Sequence, residues 1–229
     1  SLYFNKSQAL DEESRLLSLY HGTVNAGFTD FNDKDYIYLS TSKAVAKQFS
    51  YDPFGVGKIF DTGTGEGSIY NVYANITNPL IVDGMRSIVK GKVNADIEYQ
   101  ENTGRYNLTL TKKDGTKYTF TTYDLSDYFD DKTVDQINNY FDRHPARGLY
   151  DVTKYSVKGK NVDIQKPSPY YDVEFNGESM GTDAIADYAK EHGYDGVIVR
   201  NVVEGSDATI HGEATTDVIA FSSKQIKSV

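Results

Sequence analysis

Residues 36–49, YIYLSTSKAVAKQF, join a short aromatic and β-branched run to a helical repeat. This change from a β-like run to helical spacing of the apolar residues predicts a strand that is followed at once by a helix. Either Ser40 or Thr41 suits the N-cap position, because a hydroxyl oxygen can accept a hydrogen bond from the first helical turn. Val45 and Phe49 are four residues apart, so they lie on one side of the predicted helix.

The segments on either side of this stretch predict further short elements. Residues 7–18 carry leucines and an acidic start, which favours a short helix. The two residues before His21 have the pattern of a strand that ends at a glycine. Residues 51–68 are rich in glycine and predict a loop, and the alternation over 68–76 predicts the next strand.

The C-terminal part predicts a helix and two strands. Residues 182–192 have helical spacing, and Gly193 directly after them is typical of a helix end. The apolar run within 194–203 predicts a buried strand, and residues 218–221 predict the last one.

Residues 85–170 differ in character from the segments around them and predict an insertion or subdomain. Alternating runs lie on both sides of Asp114-Gly115, a dipeptide that favours a tight hairpin. A helical stretch follows over 132–142. We therefore expect one domain over 1–229, in which 85–170 separates the two halves of the core.

Composition excludes several classes of function. The 229 residues are enough for one α/β or α+β core, and the 19 tyrosines favour a strand-rich chain. A net charge of −9 without a basic stripe disfavours a tightly bound nucleic acid. The absence of cysteine excludes disulfides, thiolate chemistry and cysteine-ligated zinc. No apolar run approaches the length that spans a membrane.

Three polar residues, His21, Tyr38 and Asp217, stand in or beside predicted strands. Each has an ordinary structural interpretation. A histidine beside a glycine is often a turn residue, a tyrosine between Ile37 and Leu39 suits a sheet, and an aspartate before an apolar strand often caps the strand edge. Taken separately, these residues leave the structural and the functional interpretation open.

Together with their neighbours, the three residues resemble a known family. The segments YHGT (20–23), YIYLST (36–41) and TDVIAF (216–221) look like the three motifs of ADP-ribosyltransferases of the diphtheria-toxin and poly(ADP-ribose) polymerase type. Three further segments sharpen the resemblance toward the ADP-ribosyltransferase domains of phage and mobile-element polyvalent proteins: NPLIVD (78–83), YDGVIVRNV (194–202) and QIKS (225–228). The resemblance covers roughly 19–84 and 181–229, and it implies an α+β split β-sandwich with flanking helices.

The resemblance implies a binding role for five residues toward the donor, NAD⁺. His21 bonds the adenosine ribose. The backbone of Gly22 bonds the nicotinamide amide, and the hydroxyl of Thr23 adds a contact. Tyr38 and Phe49 stack on the two faces of the nicotinamide.

The resemblance also assigns the acid and the phosphate contact. Asp217 bonds the nicotinamide-ribose 2′-hydroxyl and stabilises the oxocarbenium-like transition state. Such a site needs no metal. Arg15 is the candidate partner of the pyrophosphate, with backbone N–H groups of 24–35 as the alternative source.

The sequence departs from the family pattern at three positions. Asp217 stands where the best-known members have glutamate, and it is one methylene shorter. Ala46 stands where the polymerase-type helix has a serine, which removes one hydrogen bond worth on the order of 1 kcal/mol. Thr215 stands where arginine-modifying relatives have Gln or Glu, so that rule does not assign the acceptor. Glu213 nearby is either a residue that orients the target, a general base or an exposed loop charge.

The function expected from this resemblance is mono-ADP-ribosylation, a pentosyl transfer from NAD⁺ to an unidentified macromolecule. Protein is the favoured acceptor over nucleic acid, and an immunity or carrier protein is a further expected partner. A phage or bacterial effector or toxin would act in a bacterial or host cytoplasm, or be secreted, without a membrane partner. The alternatives are an NAD⁺ glycohydrolase and a catalytically silent binding domain of the same fold.

Overall fold

The computed structural model of the chain describes residues 2–23, 31, 36–50, 68–148, 150–204 and 213–229. Residues 51–67 of the predicted loop over 51–68, and nearly all of 24–35, lie outside these residues. The chain forms two compact units. Ser1–Arg86 and Pro167–Val229 make up the first unit, and Ser87–Lys166 make up the second.

The described strands are β1 Leu19–Thr23, β2 Ile37–Ser40, β3 Ser68–Ala74, β4 Pro79–Asp83, β5 Met85–Gln100, β6 Arg105–Lys112, β7 Lys117–Thr122, β8 Thr153–Pro169, β9 Val173–Phe175, β10 Glu178–Met180, β11 Gly196–Val203, β12 Thr215–Ala220 and β13 Ile226–Ser228. The described α-helices are α1 Lys43–Phe49, α2 Asp131–Arg143 and α3 Thr182–Glu191. Two short 3₁₀ turns lie at Leu2–Phe4 and Ser223–Gln225. The predicted α+β class is confirmed.

In the first unit the strands are ordered β13-β3-β1-β2-β12-β11, and β4 pairs with β11 in parallel. The strand β11 is buried on both faces over Gly196–Val199, as its unbroken apolar run predicts. Val197 and Val199 pack in a cluster with Ile185 of α3. Ile198 points to the other side, into a cluster that includes Leu19 of β1. The strand β11 therefore connects the two hydrophobic clusters of this unit.

The second unit has strands ordered β8-β5-β6-β7 and the helix α2. The hairpin predicted around Asp114-Gly115 is confirmed, since β6 and β7 pair antiparallel from Thr111↔Lys117 onward. Ile137 and Phe141 of α2 are buried in the hydrophobic cluster of this unit. The unit lies within the range 85–170, and the prediction that this range is an insertion in one domain stays a prediction.

The predicted helix over 7–18 is wrong. Leu10 and Leu16 instead form an isolated antiparallel bridge, and the chain between them makes a tight turn. The Asp11 carboxylate accepts the backbone N–H groups of Glu13 (3.0 Å) and Arg15 (2.8 Å), and Ser14 has φ 62°. A short acidic side chain that binds nearby N–H groups competes with helix formation, which explains the difference.

The helix after β2 forms as predicted, but its N-cap is Ser42 and not Ser40 or Thr41. The Ser42 hydroxyl oxygen accepts the N–H of Val45 at 3.2 Å. Ser40 instead belongs to the end of β2. Among the described residues, no helix is both long and apolar enough to cross a membrane.

Asp195 connects three segments of the first unit just before β11. Its carboxylate accepts the N–H of Thr77 at 2.8 Å, the hydroxyl of Thr77 at 2.7 Å and the N–H of Asn78 at 2.8 Å. Its backbone carbonyl accepts the side-chain amide of Gln225 at 2.7 Å. The turn before β4, the start of β11 and the C-terminal 3₁₀ turn are therefore held together by one residue.

We expect Asp195→Ala to lower the free energy of unfolding by about 2 kcal/mol, because the two N–H groups and the hydroxyl lose a charged acceptor. Chemical denaturation followed by far-UV circular dichroism measures this loss. Glu12→Ala, which removes an exposed carboxylate, is the control and should stay within about 0.5 kcal/mol of wild type. Equal stability of the two variants would contradict the role given to Asp195.

Candidate functional site

Three neighbouring strands bring the three motifs together. The strand β2 lies between β1 and β12, and it pairs antiparallel with both. Ser40 pairs with Tyr20 on one side and with Asp217 on the other. Motifs that are nearly two hundred residues apart in sequence therefore lie side by side in one sheet, around the end of β2.

His21 is held in one orientation by β2. Its Nδ1 lies 2.9 Å from the backbone carbonyl oxygen of Tyr38. A carbonyl only accepts hydrogen bonds, so Nδ1 carries the hydrogen, and in the neutral ring Nε2 is the acceptor. The edge of Phe31 packs against the imidazole, with ring centroids 5.1 Å apart. This tautomer suits a role as acceptor for a ligand hydroxyl group.

Tyr38 and Phe49 supply two partly exposed rings. Tyr38 is 38% exposed although Ile37 and Leu39 beside it are buried, since alternate residues of β2 point to opposite faces. Phe49 is the last residue of α1 and is 50% exposed. Partial burial raises the pKa of Tyr38 to about 12, and the negative charges of nearby acids add to the shift. The Tyr38 hydroxyl therefore stays protonated at neutral pH.

Gly22 is where β1 contacts α1. A Cβ atom at this position would lie 1.6 Å from the carbonyl oxygen of Ala46 and 2.6 Å from its carbonyl carbon. Both atoms are backbone, so no side-chain movement relieves the overlap. The glycine is therefore required for packing, independently of any contact that it makes with a ligand.

A cavity of about 490 Å³ lies over these residues, a volume within the range of small-molecule sites. Its aromatic wall consists of Tyr20, Tyr38, Phe49, Tyr170 and Tyr171. Its polar lining consists of His21, Ser40, Thr182, Asp183 and Glu204, and the remaining lining residues are Gly22, Leu39, Val45 and Ala46. Among these described lining residues the charged side chains at neutral pH are acidic.

Asp217 lies just behind the cavity lining. It is 4% exposed, the Thr215 hydroxyl lies 3.4 Å from its Oδ1, and the side chains of Ser40 and Glu204 are close enough to shift its pKa. Burial raises the pKa of Asp217 well above its ordinary value, and the adjacent charge and hydrogen bond of Glu204 raise it further. The hydrogen bonds from Ser40 and Thr215 work in the opposite direction. The two carboxyl groups therefore form a close pair, and the more deeply buried Asp217 is the harder of the two to ionise.

The other predicted site residues lie elsewhere. Thr23 ends β1 and pairs with Ser68, outside the described cavity lining. Arg15 forms salt bridges with Asp11 at 2.8 Å and with Glu13 at 2.7 Å, and it is also outside that lining. Their assigned NAD⁺ contacts stay predictions. Among the described residues, no group of three or more His, Asp or Glu side chains is arranged to hold a metal ion.

A family model described as ADP-ribosyltransferase in polyvalent proteins matches residues 11–229. The chain belongs to this family. The match includes the middle segment, which the sequence motifs did not cover. No curated protein and no solved structure gives a match to the chain.

Three residues that line the cavity of this ADP-ribosyltransferase domain are not among the site residues predicted from the sequence. Glu204 directly follows the run predicted to be a buried strand, and Tyr170 and Tyr171 lie at or beside the end of the predicted insertion. Pairing β11 with β12 as a hairpin would have placed the end of β11 near Asp217. No local motif marks the two tyrosines, because the fold alone brings them to β2.

We expect Gly22→Ala to destabilise the domain by at least about 3 kcal/mol, since β1 and α1 must move apart to admit a methyl group. Gly181→Ala is the matched control. Its new methyl would meet the carboxylate oxygen of Asp183 at 2.6 Å, at the free end of a side chain, so the loss should stay below about 1 kcal/mol. Thermal unfolding of both variants measures the difference, and similar melting temperatures would contradict the packing argument.

We expect Asp217→Asn to gain stability relative to wild type as the pH rises. A carboxyl group whose pKa is raised by folding contributes most below its unfolded-state pKa, and this contribution is lost as the pH passes through the folded-state pKa. The amide does not titrate, so its melting temperature should exceed that of wild type by more at pH 9 than at pH 5. Glu213→Gln, an exposed control, should show no such trend. A constant difference would refute the raised pKa.

Proposed function

We propose that this domain is a mono-ADP-ribosyltransferase that moves ADP-ribose from NAD⁺ to a macromolecular acceptor. The observation that carries the proposal is the adjacency of His21, Tyr38 and the Asp217–Glu204 carboxyl pair around one cavity, in a chain of the ADP-ribosyltransferase family. Each side chain has a separate task toward the donor.

The aromatic residues suit the nicotinamide ring. Tyr38 on β2 and Phe49 at the end of α1 both line the cavity, and both have exposed ring surface on which a flat heterocycle can stack. Gly22 lines the same cavity in contact with α1, and its backbone offers polar groups to the carboxamide. His21, with its hydrogen on Nδ1, accepts from a ribose hydroxyl group through Nε2.

The acidic lining suits the charge changes of the reaction. The nicotinamide of NAD⁺ is cationic, and positive charge passes to the ribose carbon as the glycosidic bond breaks. A carboxylate beside that carbon stabilises the transition state more than the neutral products. A protein acceptor and a phage or bacterial effector role are parts of the proposal that rest on the family resemblance.

Incubation with biotinylated NAD⁺ and a bacterial lysate should label a discrete acceptor, and Tyr38→Ala should reduce labelling by at least about tenfold through lost stacking. Tyr123→Ala removes a tyrosine that is 71% exposed in the second unit and should label like wild type. Release of nicotinamide without labelling would instead favour an NAD⁺ glycohydrolase. The absence of both nicotinamide release and NAD⁺ binding at millimolar concentration would favour a silent binding domain.

A further inference from the structure

We infer that Glu204 is the carboxylate that the cavity presents to the reacting ribose, and that the buried Asp217 is a positioning residue that acts through it. The inference rests on the proposed function and deepens it. Glu204 lines the cavity, whereas Asp217 is 4% exposed and is not among its described lining residues. The acid of the sequence motif and the acid that meets the ligand are therefore different residues.

A β-bulge brings Glu204 to the face of Asp217. Val199 pairs with Asp217, but Val202 pairs with Thr215, so β11 carries one extra residue between these pairs. The bulge contains Asn201 at φ 56°, a conformation that asparagine tolerates better than most residues. Without the extra residue, alternation would turn Val203 toward this face. With it, the chain directs Glu204 there.

Asp217 is surrounded by groups that fix the orientation of its carboxyl. Ser40 is its pairing partner on β2, and the side chain of Ser40 lies beside it. The Thr215 hydroxyl lies 3.4 Å from Asp217 Oδ1 and 3.2 Å from the carbonyl oxygen of Val202, and it has one hydrogen to donate. These contacts hold the carboxyl group of Asp217 in one orientation between β2 and β11.

When the two carboxyl groups hold a single proton, that proton stays on Asp217 and the negative charge is on Glu204. Two carboxyl groups in hydrogen-bond contact need a shared proton, and the more buried group retains it. Burial and the charge of Glu204 raise the pKa of Asp217 well above its ordinary value. The pKa of Glu204 is also raised, because burial outweighs the opposing effect of the hydrogen bond from Asp217. Asp217 thus donates to Glu204, and the carboxylate of Glu204 faces the cavity.

Glu204 then acts as a catalytic residue in two ways. As the bond between ribose C1′ and the nicotinamide nitrogen breaks, its electron pair leaves with neutral nicotinamide, and the Glu204 carboxylate stabilises the positive ribose. The acceptor atom forms a bond to C1′ with its own electron pair, and its proton passes to Glu204 and on to water. NAD⁺ and a protonated acceptor thus give ADP-ribosyl acceptor, nicotinamide and one proton.

A binding experiment tests which carboxylate faces the cavity, and it needs no turnover. Calorimetry compares 1-methylnicotinamide, a cation, with neutral nicotinamide on three proteins. Glu204→Gln should weaken cation binding by at least about fivefold and leave nicotinamide nearly unaffected, because the charge that faces the cavity is removed and the remaining carboxyl group, Asp217, is buried. Asp217→Asn should keep the preference for the cation, since its amide still donates to Glu204. Asp183 also lines the cavity, and its charge is the same in all three proteins.

A kinetic experiment tests the chemistry. Glu204→Gln should lower the rate constant of nicotinamide release from NAD⁺ by about 100-fold with a smaller change in KM. Asp217→Asn should stay within about tenfold of wild type, whereas Asp217→Ala, which cannot donate to Glu204, should fall much further. Glu12→Gln, an exposed carboxylate outside the cavity lining, is the control and should match wild type.

The inference is overturned if Asp217→Asn loses the preference for the cation and the activity while Glu204→Gln keeps both. If wild type neither releases nicotinamide nor labels an acceptor, the proposed function fails instead, and the cation comparison still identifies the charged residue. Thermal unfolding confirms that each variant is folded. If Asp217→Asn does not fold, the effect of Glu204→Gln on the preference for the cation over neutral nicotinamide tests the inference by itself.

Discussion

The register between β2 and β12 is the constraint on which the site depends. Asp217 pairs with Ser40 and Ile219 pairs with Tyr38, so both polar positions are fixed by one ladder of backbone hydrogen bonds. A slip of one residue would exchange the faces of a whole strand and would bury Tyr38 while exposing Leu39. The apolar residues of β12, which fill clusters on both sides of the sheet, make such a slip costly.

The carboxyl pair shows how a buried acid gains a partner. Asp217 lies in the first half of β12, and its burial opposes ionisation. A single extra residue in β11 turns Glu204 toward it, and the pair then shares one proton. The negative charge is carried by the member with access to the cavity. Here backbone geometry, and not the identity of the motif residue, determines where charge meets a ligand.

Two separate constraints favour glycine at position 22. The family pattern gives its backbone a contact with nicotinamide, and the structure places the carbonyl of Ala46 where a Cβ atom would be. The same contact positions α1, which carries Phe49 to the cavity. Packing of β1 on α1 and formation of the aromatic wall therefore depend on one another.

Local pattern determined much of this domain. Hydrophobic periodicity predicts the strand and helix of residues 36–49 and the buried run of β11, and turn chemistry predicts the hairpin at Asp114-Gly115. The ordered motifs indicated the family and named His21 and Tyr38. The turn at 7–18 was misread, because Asp11 binds backbone groups that a helix would use. Only the tertiary structure decided that Glu204 and the tyrosines at 170 and 171 line the cavity. A bulge in one strand and the packing of distant segments leave no periodic signal in the sequence, since their effect appears only when the strands pair.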